Sequence, residues 1–192
     1  MKKQILAATI AATSFFAATA VQAADYRLDI AGAHASVQFK IKHLGYSWLT
    51  GRFNKFDGEF SYDAAKPNAS QINVTIDTRS LDSNHAERDK HLKSDDFLDV
   101  SEFPKATFVS KNINFSDADN ATVTGDFTLK GVTKTITFPI DKIGEGSDPW
   151  GGYRVGFSGT TSLKLTDYNI TTNLGPASTI VDMTLNIEGV KK

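Results

Sequence analysis

"HASVQFKIKHLGYSWLTGRFNKFDGEF", residues 34–60, alternates apolar and polar side chains with a period of two. Val37, Phe39 and Ile41 fall on one side, and Ser36, Gln38, Lys40 and Lys42 on the other. Past an aromatic interlude, Phe56 and Phe60 stand opposite Asp57 and Glu59. Successive side chains of an extended backbone point to opposite faces, so this pattern predicts strands with one dry and one wet face. The same reading extends outward along the chain. Ile72, Val74 and Ile76 alternate with Asn73, Thr75 and Asp77, and Val123, Phe127 and Leu129 repeat the spacing. Ile136, Phe138 and Ile140 follow, then Val155, Phe157, Leu163 and Leu165, and finally Val181, Met183, Leu185 and Ile187. Turn-forming segments such as "AKPN", "SDADN", "KGVTK" and "NLGP" divide these runs. About eight strands and an all-β fold are the result.

Two architectures satisfy such a pattern. A sandwich stacks two sheets and fills its centre. An up-and-down barrel removes the edge strands and, at about eight strands, leaves room for one small ligand. "DPWGGYRVGFSGTTSLKLTDYNITT" reads as extended with few breaks, and Gly151, Gly152, Gly156 and Gly159 would permit the bends of a barrel. Inward-facing Phe lines a pocket as well as it fills a core. The alternation favours a barrel and leaves both open.

One segment departs from the pattern. "SLDSNHAERDKHL", residues 80–92, carries two His among acids and bases. His85 and His91 are six apart, so on a helix they are roughly 240° out of phase and face different ways. Glu87 and His91 share a face, but two ligands do not close a metal site. A helix over residues 84–93 fits better, capped by Asn84 with Glu87 at its third position, acids early and bases late. A further helical turn is expected over residues 94–98, with Asp95 and Asp96 at its start. With only Ala86 and Leu92 apolar, this helix crosses the surface or one barrel mouth. His34 and His43, nine apart, are expected on opposite faces of one strand. "GFSGT", residues 156–160, puts Ser158 in a strand rather than on a nucleophile elbow. "GEGSDPWGG" lacks the Gly-Lys-Ser/Thr ending of a phosphate loop and reads as a turn. No motif makes a case for catalysis.

The ends and composition bound the rest. Residues 1–23 have a basic start at Lys2 and Lys3, an apolar stretch, and the small-x-small sequence Val21-Gln22-Ala23. This predicts a secretory signal peptide cleaved between Ala23 and Ala24, leaving one domain over residues 24–192 with no further transmembrane segment. The chain has no Cys, which excludes disulfides, thiolate metal sites and a cysteine-linked acyl anchor. Its formal net charge is -1, becoming slightly more acidic once Lys2 and Lys3 are removed, which argues against nucleic-acid binding. An exported chain without disulfides fits a bacterial periplasm.

In order and spacing, five segments of the chain resemble the YceI-like family of secreted bacterial proteins: residues 34–60, "NHAERDKHLKSDDFLDVSEFPKATF", "GDFTLKGVTKTITF", "DPWGGYRVGF" and "DYNITTNLGPAS". The resemblance runs from "ADYRLD" to "NIEGVKK" and implies an extended, lipocalin-like antiparallel barrel of about eight strands, with a short helical insertion near residues 84–98. It further implies a long apolar cavity for a polyisoprenoid-type lipid, such as an isoprenoid quinone or its precursor, with no cofactor and no established catalytic activity. Phe39, Ile41, Phe53, Phe56, Phe60, Ile76, Phe108, Phe127, Leu129, Phe138 and Phe157 are the inward residues expected to line that cavity. Trp48, Phe97 and Trp150 are expected at a rim or lid, and His85, Arg88 and Arg154 beside a polar head group. The expected role is a periplasmic lipid carrier, active in envelope stress. Two alternatives stand: a metal- or redox-assisted envelope enzyme using His85 and His91, and a protein-binding module with a filled barrel. The oligomeric state stays open, a homodimer included.

Overall fold

The first two strands run beside the last one. A computed structural model describes residues 23–192, so the expected signal peptide lies, apart from Ala23, outside the described residues. The strands are β1 (Ala24–Leu28), β2 (Ser36–His43), β3 (Ser47–Phe53), β4 (Phe56–Tyr62), β5 (Gln71–Asp77), β6 (Leu81–Asp82), β7 (Lys105–Phe115), β8 (Asn120–Leu129), β9 (Val132–Ser147), β10 (Tyr153–Lys164) and β11 (Ile180–Lys191). β1 pairs with the end of β11 (Tyr26 opposite Lys191), and β2 with its first half (Val37 opposite Leu185). They act as one barrel strand, interrupted by a loop over residues 29–35. β3 and β4 form a second such strand, broken at Asn54 and Lys55, which pairs with β2 and then β1. From β4 the order runs β5, β7, β8, β9, β10, β11, every pair antiparallel. The return of β11 to β1 and β2 closes an eight-stranded antiparallel barrel. A sandwich would leave edges that here are hydrogen-bonded.

The alternation places the side chains as the pattern predicts. Val37, Ile76, Phe108, Val123, Phe127 and Leu163 point inward in one buried cluster. A smaller cluster at the far end contains Tyr26, Phe60, Tyr62 and Val155. There Tyr26 stacks on Phe60 with ring centres 5.0 Å apart, and Phe157 meets Phe60 and Tyr62 edge-on at 5.8 and 5.5 Å. Two glycines admit inward rings. A Cβ on Gly51 would come within 2.3 Å of Phe39 Cζ, and one on Gly125 within 2.5 Å of Phe108 Cζ. Only a residue without a side chain leaves room for those phenyl groups. Of the glycines expected to bend the chain, Gly156 sits at a register shift between β9 and β10, and Gly151 turns with φ of 89°.

Three local expectations are corrected. The helix α1 spans Ala86–Lys93, and its N-cap is His85, whose Nδ1 accepts the Arg88 N–H at 3.2 Å. Asn84 gives its own N–H to Asp82 Oδ1 at 2.9 Å and takes a left-handed φ of 62°, which delays the helix by one residue. Residues 94–98 form a turn rather than a helix, with Ser94 hydroxyl and N–H both donating to the His91 carbonyl. Finally, β10 ends at Lys164. Residues 165–179 do not continue as a strand: 3₁₀ turns at Leu165–Tyr168 and Pro176–Ser178, with Asn169 left-handed at φ 57°, fold this segment across the barrel end.

Candidate functional site

The barrel encloses two adjoining chambers. The outer one, at the end carrying α1 and the 165–179 segment, has a volume of about 640 Å³, within the range of small-molecule pockets. The inner one, about 110 Å³, ends against Phe60, Tyr62, Phe115 and Phe157 and presents apolar atoms throughout. Ile76, Phe127, Leu163 and Met183 belong to both walls, so the chambers meet there.

Phe39, Ile41, Phe53 and Leu129 line the outer chamber, and Phe60, Phe108, Phe138 and Phe157 the inner one. Ile76 and Phe127 sit at the junction. Phe56 is the exception. Half-buried at the start of β4, it packs between the two core clusters and faces neither chamber. Strand alternation gives the side of the sheet but not the depth at which a cavity begins.

The mouth differs more from expectation. Phe97 is buried in its wall, edge-on to His91 with ring centres 5.0 Å apart. Trp48 lies beside the opening but outside the cavity, on the outer face of β3, under Lys40 Nζ at 4.6 Å from the ring centre. It sits opposite Lys42, and the pleat turns both outward. Trp150 is at the opposite end of the barrel, in the turn before β10, and stacks on the Arg154 guanidinium at 5.5 Å.

Of the three head-group candidates, Arg88 reaches the cavity. Its Nε donates to Ser83 Oγ at 2.7 Å and its Nη2 to the Ser83 carbonyl, while buried Ser83 donates through both N–H and hydroxyl to Asp89. This fixes the guanidinium against the wall and leaves Nη1 without a protein partner among the described residues. His85 is spent on the helix cap and stands outside the cavity. Arg154 lies ten residues from Lys164 along β10, roughly 30 Å from the mouth. Its Nη1 donates to Asp29 and to Glu188 (2.6 Å), and its Nε to Asp148 (2.8 Å). An arginine satisfied by three carboxylates is a structural tie rather than a ligand contact.

The expected placing of His34 and His43 on opposite faces of one strand is corrected. His34 precedes β2 and gives Asp29 a 2.9 Å contact, whereas His43 ends β2 at the cavity mouth. Asp29, His34 and Glu188 do converge closely enough to hold a cation, but the Arg154 guanidinium already bonds both carboxylates. His85 and His91 do not converge: His91 Nε2 pairs with Asp96 at 2.9 Å. Hydrogen bonds from Arg154, His34 and the Gly32 N–H hold the Asp29 carboxyl well below the usual carboxylate range.

The segment over residues 165–179 supplies the wall that alternation missed. Tyr168 and Ile170 are buried, and Leu165 and Leu174 line the outer chamber with them. The Tyr168 ring meets Phe127 edge-on at 5.6 Å, and burial pushes its hydroxyl above the ordinary tyrosine value, so it stays neutral. Thr172 Oγ1 donates to the Asp96 carbonyl and Ser178 Oγ to the Lys42 carbonyl, tying this strap to both sides of the mouth. The only sequence signal was Gly175-Pro176, a turn that a strand cannot contain.

Comparison with known proteins agrees with this architecture. A UPF0312 protein of Shewanella sp. (strain ANA-3) is 54% identical over 192 residues, covering 100% of both chains. The structure of Burkholderia cenocepacia BcnA superposes with a TM-score of 0.74 at 25% identity, covering 84% of this chain and 98% of that one. A polyisoprenoid binding domain from Saccharophagus degradans, implicated in plant cell wall breakdown, superposes with a TM-score of 0.67, covering 89% of this chain and 100% of the domain. Its 17% identity makes that likeness one of fold. The family model for the YceI-like domain matches residues 26–189, and the chain belongs to that family.

Proposed function

We propose that this protein is an exported, single-domain carrier that holds a long polyisoprenoid-type lipid in its barrel, tail inward and head group at the mouth. The observation that carries the reading is the junction at Ile76, Phe127, Leu163 and Met183, which makes two chambers one apolar path from a partly polar mouth to an aromatic end. A hydrocarbon tail fits such a path because each Å² of apolar surface removed from water contributes about 25 cal/mol without any charged contact. The Saccharophagus degradans domain of the same fold is a polyisoprenoid binding domain, which supports this ligand class. Arg88 Nη1, the His91 ring and the Asn173 amide offer polar partners to a head group. The reading assigns no catalytic residue and requires no cofactor. It includes cleavage between Ala23 and Ala24, with release of residues 24–192 into the periplasm as the folded domain.

The test is direct. Protein purified without detergent from its native host is extracted with organic solvent, and the extract is analysed by mass spectrometry. About one long-chain isoprenoid per protein chain is expected. An extract repeatedly free of lipid would sink the carrier reading.

A further inference from the structure

We propose that the outer rim of the cavity mouth is a membrane-docking surface that seats the opening on an anionic bilayer. The strand registers bring together residues that are far apart in sequence. Trp48 lies opposite Lys42, Lys164 lies opposite Ile180, and the pairing of Val181 with Ile41 sets Ile180 beside Lys42. Trp48, Lys42, Ile180 and Lys164 therefore form one row on the outer face of four adjacent strands. Above that row, the β2–β3 hairpin projects Leu44, 57% exposed, and Tyr46, 87% exposed. Trp48 and Ile180 are each about half exposed. The other large exposed apolar residues among those described, Val109, Ile143 and Trp150, lie apart from this patch, on the barrel wall and toward the far end.

The chemistry of the row identifies the occupant. Large apolar groups clustered on an exposed surface mark a binding face. Trp and Tyr rings favour the head-group level of a bilayer, where lysines beside them extend their ammonium groups into the polar layer. Lys40 and Lys42 stand 4.6 and 5.7 Å from the Trp48 ring centre, an arrangement that keeps cations over the aromatic face. No acid interrupts the row; the nearest acid on β11, Asp182, is one pleat further from the mouth and accepts from Ser162. Basic residues flanking interfacial apolar groups are attracted to anionic lipid. Lys42, whose carbonyl accepts from Ser178, and Leu44 also border the cavity opening, so the patch is continuous with it. Resting on the lipid-carrier reading, this assigns the rim the task of letting a lipid pass between bilayer and barrel without crossing water.

The experiment uses the Trp150→Phe protein, in which Trp48 is the remaining tryptophan. It is mixed with vesicles of phosphatidylcholine alone or with about a quarter phosphatidylglycerol. Sedimentation with the anionic vesicles and a blue shift of Trp48 emission are expected, both weakened by salt. The Tyr46→Ser/Ile180→Ser pair should lower partitioning about tenfold or more while leaving thermal melting unchanged, since both side chains are exposed. Lys40→Gln/Lys164→Gln should remove the preference for anionic vesicles. Failure of the Trp150→Phe protein to sediment, or equal partitioning of the serine pair, overturns the proposal. So does a stable dimer in solution that the serine pair disperses, because the patch is then a self-interface. Solvent extraction separates the two readings: lipid-bearing protein that ignores vesicles defeats docking alone, and vesicle-binding protein without lipid defeats the carrier reading alone.

Discussion

Phe127 sits where the two chambers meet, buried on β8 and edge-on to Tyr168. Phe127→Trp therefore narrows the passage without adding polarity. Overpacking a fitted wall costs about 1–3 kcal/mol, so the variant should fold with a lowered melting temperature. Its content of long-chain lipid, measured after native purification, should drop several-fold. Unchanged occupancy would place the ligand elsewhere. Phe127 was legible because every second residue of an extended run shares its face, and Phe39, Phe108 and Phe138 follow the same rule. Polar residues carried less information. Arg88 and Arg154 look alike in the sequence, yet one clamps to its neighbour Ser83 at the mouth while the other meets Asp29 from the β1–β2 loop and Glu188 from the adjacent β11, both far away in the chain. Local pattern does not encode which carboxylate a long side chain will reach.

At the level of elements, the mouth depends on two non-strand segments, α1 with the turn after it and the strap over residues 165–179. They meet through the Thr172 hydroxyl and the Asp96 carbonyl. Thr172→Val keeps the shape and removes that bond, at a cost of about 0.5–1.5 kcal/mol to the contact. Ligand transfer to acceptor vesicles, followed over time, should become a few-fold faster while the melting temperature falls little. A rate equal to that of the unaltered protein would show that the strap does not control exit. The strands themselves were readable from periodicity, but the strap was not. Its apolar residues at 165, 168, 170 and 174 fit neither a two-residue nor a helical repeat, because they are spaced by turns. The helix was visible, and its cap moved to His85 since Asn84 turns through a left-handed conformation.

For the whole molecule, closure rests on the pairing of β1 and β2 with β11. The Asp29–Arg154–Glu188 cluster fastens that seam from outside. Because the folded state holds the Asp29 carboxyl below the ordinary range, chiefly through Arg154, its stabilisation is complete above the unfolded carboxylate value near 4 and declines as pH falls below it. Asp29→Asn should lower the melting temperature at pH 7, and the gap from the unaltered protein should shrink between about pH 4 and pH 2. A gap independent of pH would show that the carboxylate charge does not act there. Barrel and sandwich could not be separated by alternation alone, because this pairing joins opposite ends of the chain. The seam also has a kinetic meaning. Apart from it, each barrel strand pairs with the next in the chain, and hairpins such as β7–β8 and β8–β9 zip up over short loops, whereas Tyr26 must wait for Lys191. Contacts of that separation form slowly, since loop-closure entropy is lost before they give any return. A chain threading outward from its N-terminus keeps one edge of its first strand unpaired until its last has emerged, and the ring shuts as one late event.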